Sequence, residues 1–74
     1  MNEVFRRPVT DLPLSVRTSE GLRSEDIKYL GELVQCTEQE LLEVKNFGRK
    51  CLNEVKTVLA QMGLSLGMKP EDSN

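Results

Sequence analysis

The segment from about Gly48 to Met62 carries the strongest periodic pattern in the chain. Its apolar residues recur at spacings of three and four, in one stripe about 120° wide at the 100° step of an α-helix. These residues are Cys51, Leu52, Val55, Val58, Leu59 and Met62. Gly63 follows directly, where glycine often ends a helix. The pattern predicts one amphipathic helix, the longest element of the chain.

A second strong signal lies just before it. Thr37-Glu38-Gln39-Glu40 has the spacing of a capping box and is followed by apolar residues, so a helix is predicted to start there. Lys45-Asn46-Phe47-Gly48 then breaks this helix, because Asn and Gly tolerate the left-handed conformations that turn a chain sharply. Helix, tight turn and helix form the outline of a helix-hairpin-helix.

Two shorter helices are predicted upstream. Thr18 or Ser19 can cap the first, which runs to about Glu25 with Glu20 in its favourable first turn. The second carries apolar residues at helical spacing, namely Ile27, Leu30, Leu33 and Val34. The predicted fold is an all-α, compact domain of four to five helices that contains a helix-hairpin-helix-like turn.

The two ends of the chain lack such patterns. Residues 1–14 contain Arg6-Arg7-Pro8 and Pro13 without a sustained period, so we expect an extended arm or the end of a linker. Residues 15–68 are expected to form the folded domain. The polar residues 69–74 are expected to be a disordered tail.

The composition argues against catalysis and metal binding. A chain of 74 residues makes one domain and buries only about 60% of its unfolded surface, which is too little for a deep catalytic cleft. It has no His, the commonest general base and metal ligand. No stretch approaches the ~20 apolar residues of a membrane span, and no signal-peptide core is present. We expect a cytoplasmic domain without catalytic residues, metal, cofactor or membrane partner.

The two cysteines, Cys36 and Cys51, lie too far apart for a CxxC motif and are too few for a disulfide scaffold. They are expected to be reduced thiols. An enzyme interpretation rests only on Cys51 beside Arg49 and Lys50 at a helix start, where a thiol pKa can fall. No general base accompanies it.

The charge pattern leaves two interpretations of the turn open. A net charge of -2 argues against a generic nucleic-acid binder. However, Lys45, Arg49 and Lys50 gather where the long helix starts, and a helix start presents unpaired N–H groups at which a phosphate can dock. The turn is therefore either a phosphate cradle or an ordinary helical hairpin with solvated charges.

A series of ordered matches closely resembles the C-terminal domain of the bacterial RNA polymerase alpha subunit. The segments are Arg7-Pro8-Val9-Thr10-Asp11-Leu12, Leu14-Ser15-Val16-Arg17, Tyr29-Leu30-Gly31-Glu32-Leu33-Val34-Gln35, Thr37-Glu38, Asn46-Phe47-Gly48-Arg49-Lys50 and Gly63-Leu64-Ser65-Leu66-Gly67-Met68. Together they span about residues 6–68 and are far more specific than any single motif.

The resemblance implies a helical domain tethered by a flexible linker to an assembly domain that joins the other RNA polymerase subunits. It implies binding to the minor groove of A·T-rich upstream promoter elements in transcription initiation, and a nucleoid-associated place in the cytoplasm. Transcription activators and the sigma factor are the implied protein partners. Such a domain supplies recruitment and no chemistry.

The resemblance also assigns residues. Arg17 is the central DNA-binding residue, and a narrow, strongly negative A-tract minor groove attracts such a guanidinium. With Arg49 added from the helix start, the other DNA-binding residues are Glu20, Gly21, Asn46, Gly48, Arg49, Lys50, Cys51 and Glu54. The activator-contact residues are Thr37, Glu38, Gln39, Glu40, Gly67 and Lys69. The sigma-contact residue is Asp11.

Four positions depart from the family's pattern: Glu20 (usually Asn), Gly21 (often Cys), Cys51 (usually Ser) and Pro13 (an acid). A carboxylate near phosphates is expected to weaken DNA binding unless Glu20 is paired with Arg17 or Arg23. Two alternatives to promoter binding stay open. One is a protein-interaction module for transcription factors with weakened DNA binding, and the other is a generic helix-hairpin-helix domain that binds any duplex.

Overall fold

The computed structural model describes residues 3–68. Its α-helices are α1 (Val16–Ser24), α2 (Leu30–Leu33), α3 (Glu38–Leu42) and α4 (Arg49–Gln61). Two short 3-10 helices, Glu3–Arg6 and Val9–Asp11, precede α1. The described range contains no β-strand and one isolated bridge, between Pro8 and Tyr29. The predicted all-α fold of four to five helices is therefore confirmed, with four α-helices in the described range.

One apolar core receives side chains from all four helices. Along α4, the predicted stripe is buried at Cys51, Leu52, Val55, Val58 and Leu59, while Met62 is half-buried. The amphipathic pattern therefore identified the inward face of the longest helix.

None of the helices formed by residues 3–68 is long and apolar enough to cross a membrane.

Residues 3–12 differ from the predicted extended arm, which is wrong for this stretch. Phe5, Val9 and Leu12 are buried in the core. The backbone is fixed as well, since the N–H of Leu30 donates to the Arg7 carbonyl at 2.8 Å. Pro8 interrupts regular helix in this stretch, but burial of its three core side chains away from water stabilises the short 3-10 turns.

The start of α1 also corrects the prediction. Ser15, and neither Thr18 nor Ser19, is the N-cap, and its hydroxyl accepts a hydrogen bond from the Thr18 N–H at 3.3 Å. Thr18 is fully buried one turn later. Glu20 consequently lies in the second turn of α1, beyond the part of the helix where the dipole favours a carboxylate.

The capping box of α3 is confirmed. Thr37 Oγ1 accepts from the Glu40 N–H at 3.1 Å, and Glu40 Oε1 accepts from the Thr37 N–H at 2.8 Å. The predicted second helix is shorter than expected, because the buried Ile27 precedes α2. The apolar residues from Ile27 onward are buried at helical spacing, although Ile27 itself lies in the segment before the helix.

The predicted end of α4 at Gly63 is confirmed. Gly63 has φ 75°, in the left-handed region. The N–H groups of Gly63 and Leu64 donate to the carbonyls of Ala60 and Leu59 at 3.0 and 2.8 Å. This is the hydrogen-bond pattern of a Schellman motif. The tail predicted for residues 69–74 lies outside the described residues.

Candidate nucleic-acid interface

The turn between α3 and α4 contains one residue in the left-handed conformation. Asn46 adopts φ 63°, whereas Gly48 has φ -95° and ψ -169°, an extended conformation open to any residue. The expectation that Gly48 also supplies a left-handed conformation is therefore wrong. Asn46 is exposed, and Phe47 beside it is buried. The turn thus presents Asn46 outward while its neighbour anchors it in the core.

The start of α4 is open. Gly48 is its N-cap and has no side chain to accept from the first N–H groups of the helix, and no capping hydrogen bond to them is formed by a side chain of residues 3–68. Arg49 and Lys50 are exposed there and form no ion pair within 4.0 Å among residues 3–68. Uncapped N–H groups beside two unpaired cations can bind an anion. Cys51 has a buried side chain, so only its backbone N–H can face a ligand.

The start of α1, by contrast, is capped by side chains. Glu54, on α4, accepts the Ser15 N–H on Oε1 at 2.8 Å and the Ser15 hydroxyl on Oε2 at 3.0 Å. Hydrogen bonds from the Ser15 N–H and hydroxyl, with a smaller contribution from the Thr18 side chain, hold the pKa of the Glu54 carboxyl below its ordinary value. Glu54 therefore supports the helix that carries Arg17.

One groove brings α1 and the turn together. It has a volume of about 440 Å³, and its lining residues are Arg17, Glu20, Gly21, Ser24, Lys45 and Asn46. The predicted DNA-binding residues Arg17, Glu20 and Gly21 on α1 thus share one surface with Asn46, which follows them by more than twenty positions in the sequence.

The remaining predicted DNA-binding residues lie outside this groove. Lys50 and Glu54 line a second groove of about 630 Å³, together with Pro13. Arg49 and Gly48 are exposed at the start of α4 between the helix and the turn. The predicted set therefore forms two neighbouring parts linked by the start of α4.

Sequence reasoning did not assign Ser24 and Lys45 to the groove. Ser24 lies one turn beyond Gly21 on α1, and its hydroxyl donates to the Gly21 carbonyl at 2.8 Å. Its spacing of seven from Arg17 places it on the same helix face. Lys45 directly precedes Asn46, and its charge was the available signal.

Glu20 carries an unpaired negative charge in this groove. It is exposed, and it forms no ion pair within 4.0 Å with Arg17, Arg23 or any other described residue. Arg17 is likewise exposed and has no ion-pair partner in the described range. The groove therefore holds two cations without an ion-pair partner in the described range, Arg17 and Lys45, and one carboxylate that opposes an anionic ligand.

The residues predicted to contact activators lie together on another surface. Thr37, Glu38 and Gly67 line a groove of about 350 Å³, because the Gly67 N–H donates to the Cys36 carbonyl at 2.9 Å. Gln39 and Glu40 are exposed on the adjoining turn of α3. Lys69 lies outside the described residues.

Two other features of this region bear on its chemistry. Lys56 on α4 pairs with Glu38 across the same groove, with Nζ and Oε2 3.0 Å apart. Burial, and then the nearby Glu40, Glu32 and Glu25, raise the pKa of the Cys36 thiol, which keeps it in its unreactive protonated form.

Asp11, the predicted sigma contact, is exposed at the end of the second 3-10 helix.

Comparison with known proteins places the sequence in one family. The model of the family described as the C-terminal domain of the bacterial RNA polymerase alpha chain matches residues 1–61. The sequence is 53% identical over 73 residues to the DNA-directed RNA polymerase subunit alpha of Desulfotalea psychrophila. That match covers 99% of this chain and 21% of the relative, so the chain spans about a fifth of the relative's length. The protein therefore belongs to the family formed by the C-terminal domains of bacterial RNA polymerase alpha subunits.

Proposed function

We propose that this domain binds A·T-rich duplex DNA through the minor groove and thereby recruits RNA polymerase to promoters. The observation that carries the proposal is the groove that joins Arg17 on α1 to Asn46 on the turn. Arg17 has an exposed guanidinium with no ion-pair partner among the described residues. A narrow A-tract minor groove, with its enhanced negative potential, favours insertion of such a group.

The start of α4 supplies the contacts to the DNA backbone. Its uncapped N–H groups, with Arg49 and Lys50 beside them, suit a phosphate. These contacts fix the position of the duplex without reading its sequence. Gly48 and the backbone of Cys51 contribute N–H groups, Gly21 lines the groove beside Arg17, and Glu54 holds the start of α1 through Ser15.

Protein partners use other surfaces of the domain. Thr37, Glu38, Gln39, Glu40, Gly67 and Lys69 form the proposed surface for transcription activators. Asp11 is the proposed contact for the sigma factor. The domain itself is non-catalytic and acts in the cytoplasm, at the nucleoid, as part of an alpha subunit whose remaining portion joins the other polymerase subunits.

The test is fluorescence anisotropy of an A·T-rich and a G·C-rich duplex at one fixed salt concentration. Arg17→Ala is expected to lose nearly all binding to the A·T-rich duplex. The matched control is Arg23→Ala, which removes the same charge from the same helix at a residue that does not line the groove, and it is expected to bind within about twofold of the parent, because an exposed charge outside the contact is largely screened by salt. Full affinity in Arg17→Ala would refute the proposed DNA face.

Glu20 favours a second candidate, a protein-interaction module whose DNA binding is weak. Its unpaired carboxylate lines the Arg17 groove, where it repels phosphates. Absence of binding to either duplex by the parent domain, with an intact fold, would favour this candidate. Equal binding to both duplexes would instead favour a generic helix-hairpin-helix domain.

A further inference from the structure

Gly21 allows an unusually close contact between α1 and the turn. The Phe47 ring packs against the α1 backbone, and a Cβ built on Gly21 would lie 2.7 Å from Phe47 Cδ1 and 3.5 Å from Cε1. Gly21 does not adopt a left-handed conformation, so glycine is needed here for space alone. Phe47 is only 3% exposed, so its ring has little room to move aside.

This contact lies beneath the proposed DNA-binding groove. Gly21 is four residues after Arg17 and therefore on the same face of α1. Phe47 directly follows Asn46, and both Gly21 and Asn46 line the groove with Arg17. The contact therefore joins the two segments that carry Arg17 and Asn46.

We propose that Phe47 and Gly21 are positioning residues, which set the spacing of the two DNA-binding segments without themselves contacting DNA. This inference rests on the proposed function. A methyl group at position 21 would push the ring and the turn away from α1, so that Arg17 and Asn46 no longer fit one minor groove together. A smaller side chain at position 47 would remove the clash.

Gly31 provides a matched control. It is buried in a helix, α2, and a Cβ there would lie 3.1 Å from both Phe5 Cβ and the Phe5 carbonyl oxygen. It borders a different groove, lined by Phe5, Arg6, Tyr29, Gly31, Glu32 and Gln35. Gly31→Ala likewise adds one methyl group to a buried helical glycine, at a place that does not line the DNA-binding groove.

The experiment compares Gly21→Ala, Phe47→Leu, the double variant Gly21→Ala/Phe47→Leu and Gly31→Ala. Urea unfolding gives the folded fraction of each, and anisotropy on the A·T-rich duplex gives the affinity of the folded protein. We expect Gly21→Ala to weaken binding about fivefold and the double variant to recover to within about twofold of Phe47→Leu, a coupling of typical size for residues in contact. Gly31→Ala is expected to bind as the parent does.

A folded Gly21→Ala that binds like the parent, or a double variant that binds several-fold more weakly than Phe47→Leu, would overturn the inference. If Gly21→Ala is too unstable to assay, the affinities of Phe47→Leu and the double variant decide. Equal affinities support the inference, and a weaker double variant overturns it. Loss of binding in Arg17→Ala with no effect at position 21 defeats this inference alone, whereas full binding by Arg17→Ala defeats the proposed function and this inference with it.

Discussion

Glu54 on α4 accepts two hydrogen bonds from Ser15, the N-cap of α1, although the two residues are 39 positions apart. One carboxylate oxygen takes the Ser15 N–H and the other takes its hydroxyl, so a single side chain fixes both groups. The carboxylate also lies at the positive end of the α1 dipole. The contact ties the helix that carries Arg17 to the helix that starts with Arg49 and Lys50.

This contact predicts a dependence of stability on pH. Folding lowers the pKa of Glu54, chiefly through the hydrogen bond from the Ser15 N–H. Ionised Glu54 therefore stabilises the fold at pH values above its pKa in the unfolded chain. This stabilisation is lost as the pH falls through the pKa of the folded protein. Glu54→Gln is therefore expected to be less stable than the parent at about pH 7. The difference should shrink below the ordinary glutamate pKa of about 4.3.

Urea unfolding of the parent and Glu54→Gln between about pH 7 and pH 3 measures this, across the ordinary glutamate range. Glu43→Gln is the control, because Glu43 is exposed and its carboxylate forms no ion pair within residues 3–68. Its stability is expected to follow that of the parent. A deficit in Glu54→Gln that stays constant across the pH range would show that the ionised carboxylate is not responsible.

Glu20 is expected to limit DNA affinity. Glu20→Asn removes an unpaired carboxylate from the groove that holds Arg17, and we expect about three- to fivefold tighter binding to the A·T-rich duplex, as for one repulsion of ~1 kcal/mol in water. Glu3→Asn serves as the control, because it makes the same change of net charge on the first 3-10 helix, at a residue that does not line the groove. Unchanged or weaker binding by Glu20→Asn, measured by anisotropy at fixed salt, would contradict the expectation.

Lys50 is expected to contribute a phosphate contact. Lys50→Ala should weaken binding to A·T-rich and G·C-rich duplexes by the same factor, and the negative slope of log K against log salt should become shallower by about one. Lys56→Ala serves as the control, since Lys56 is on the same helix but pairs with Glu38 at 3.0 Å. Its salt slope should match that of the parent. A change in sequence preference by Lys50→Ala would argue for base contact instead.

The same substitution should have opposite effects at two glycines. Gly63 has φ 75°, and Gly63→Ser is expected to cost about 1–2 kcal/mol of unfolding free energy because a Cβ disfavours the left-handed conformation. Gly48 is extended, and a Cβ added there would have no atom within 4 Å. Gly48→Ser should keep or raise stability, since serine is a preferred N-cap. Thermal unfolding of both variants would test this, and equal losses would contradict it.

The sequence by itself determined the local elements of this domain. The Thr37 capping box, the stripe along α4 and the end at Gly63 each depend on residues within a few positions of one another, through hydrogen bonds or one helix face. Such features form wherever the local residues allow them. The resemblance carried by ordered matches added Arg17, which local spacing could not have singled out.

Only the tertiary structure decided how these elements meet. The Glu54–Ser15 and Phe47–Gly21 contacts join residues far apart in the sequence, and no local pattern announces either of them. Residues 3–12 entered the core for the same reason. Their short turns have little stability of their own, and they are ordered only because burying Phe5, Val9 and Leu12 against the other helices removes apolar surface from water.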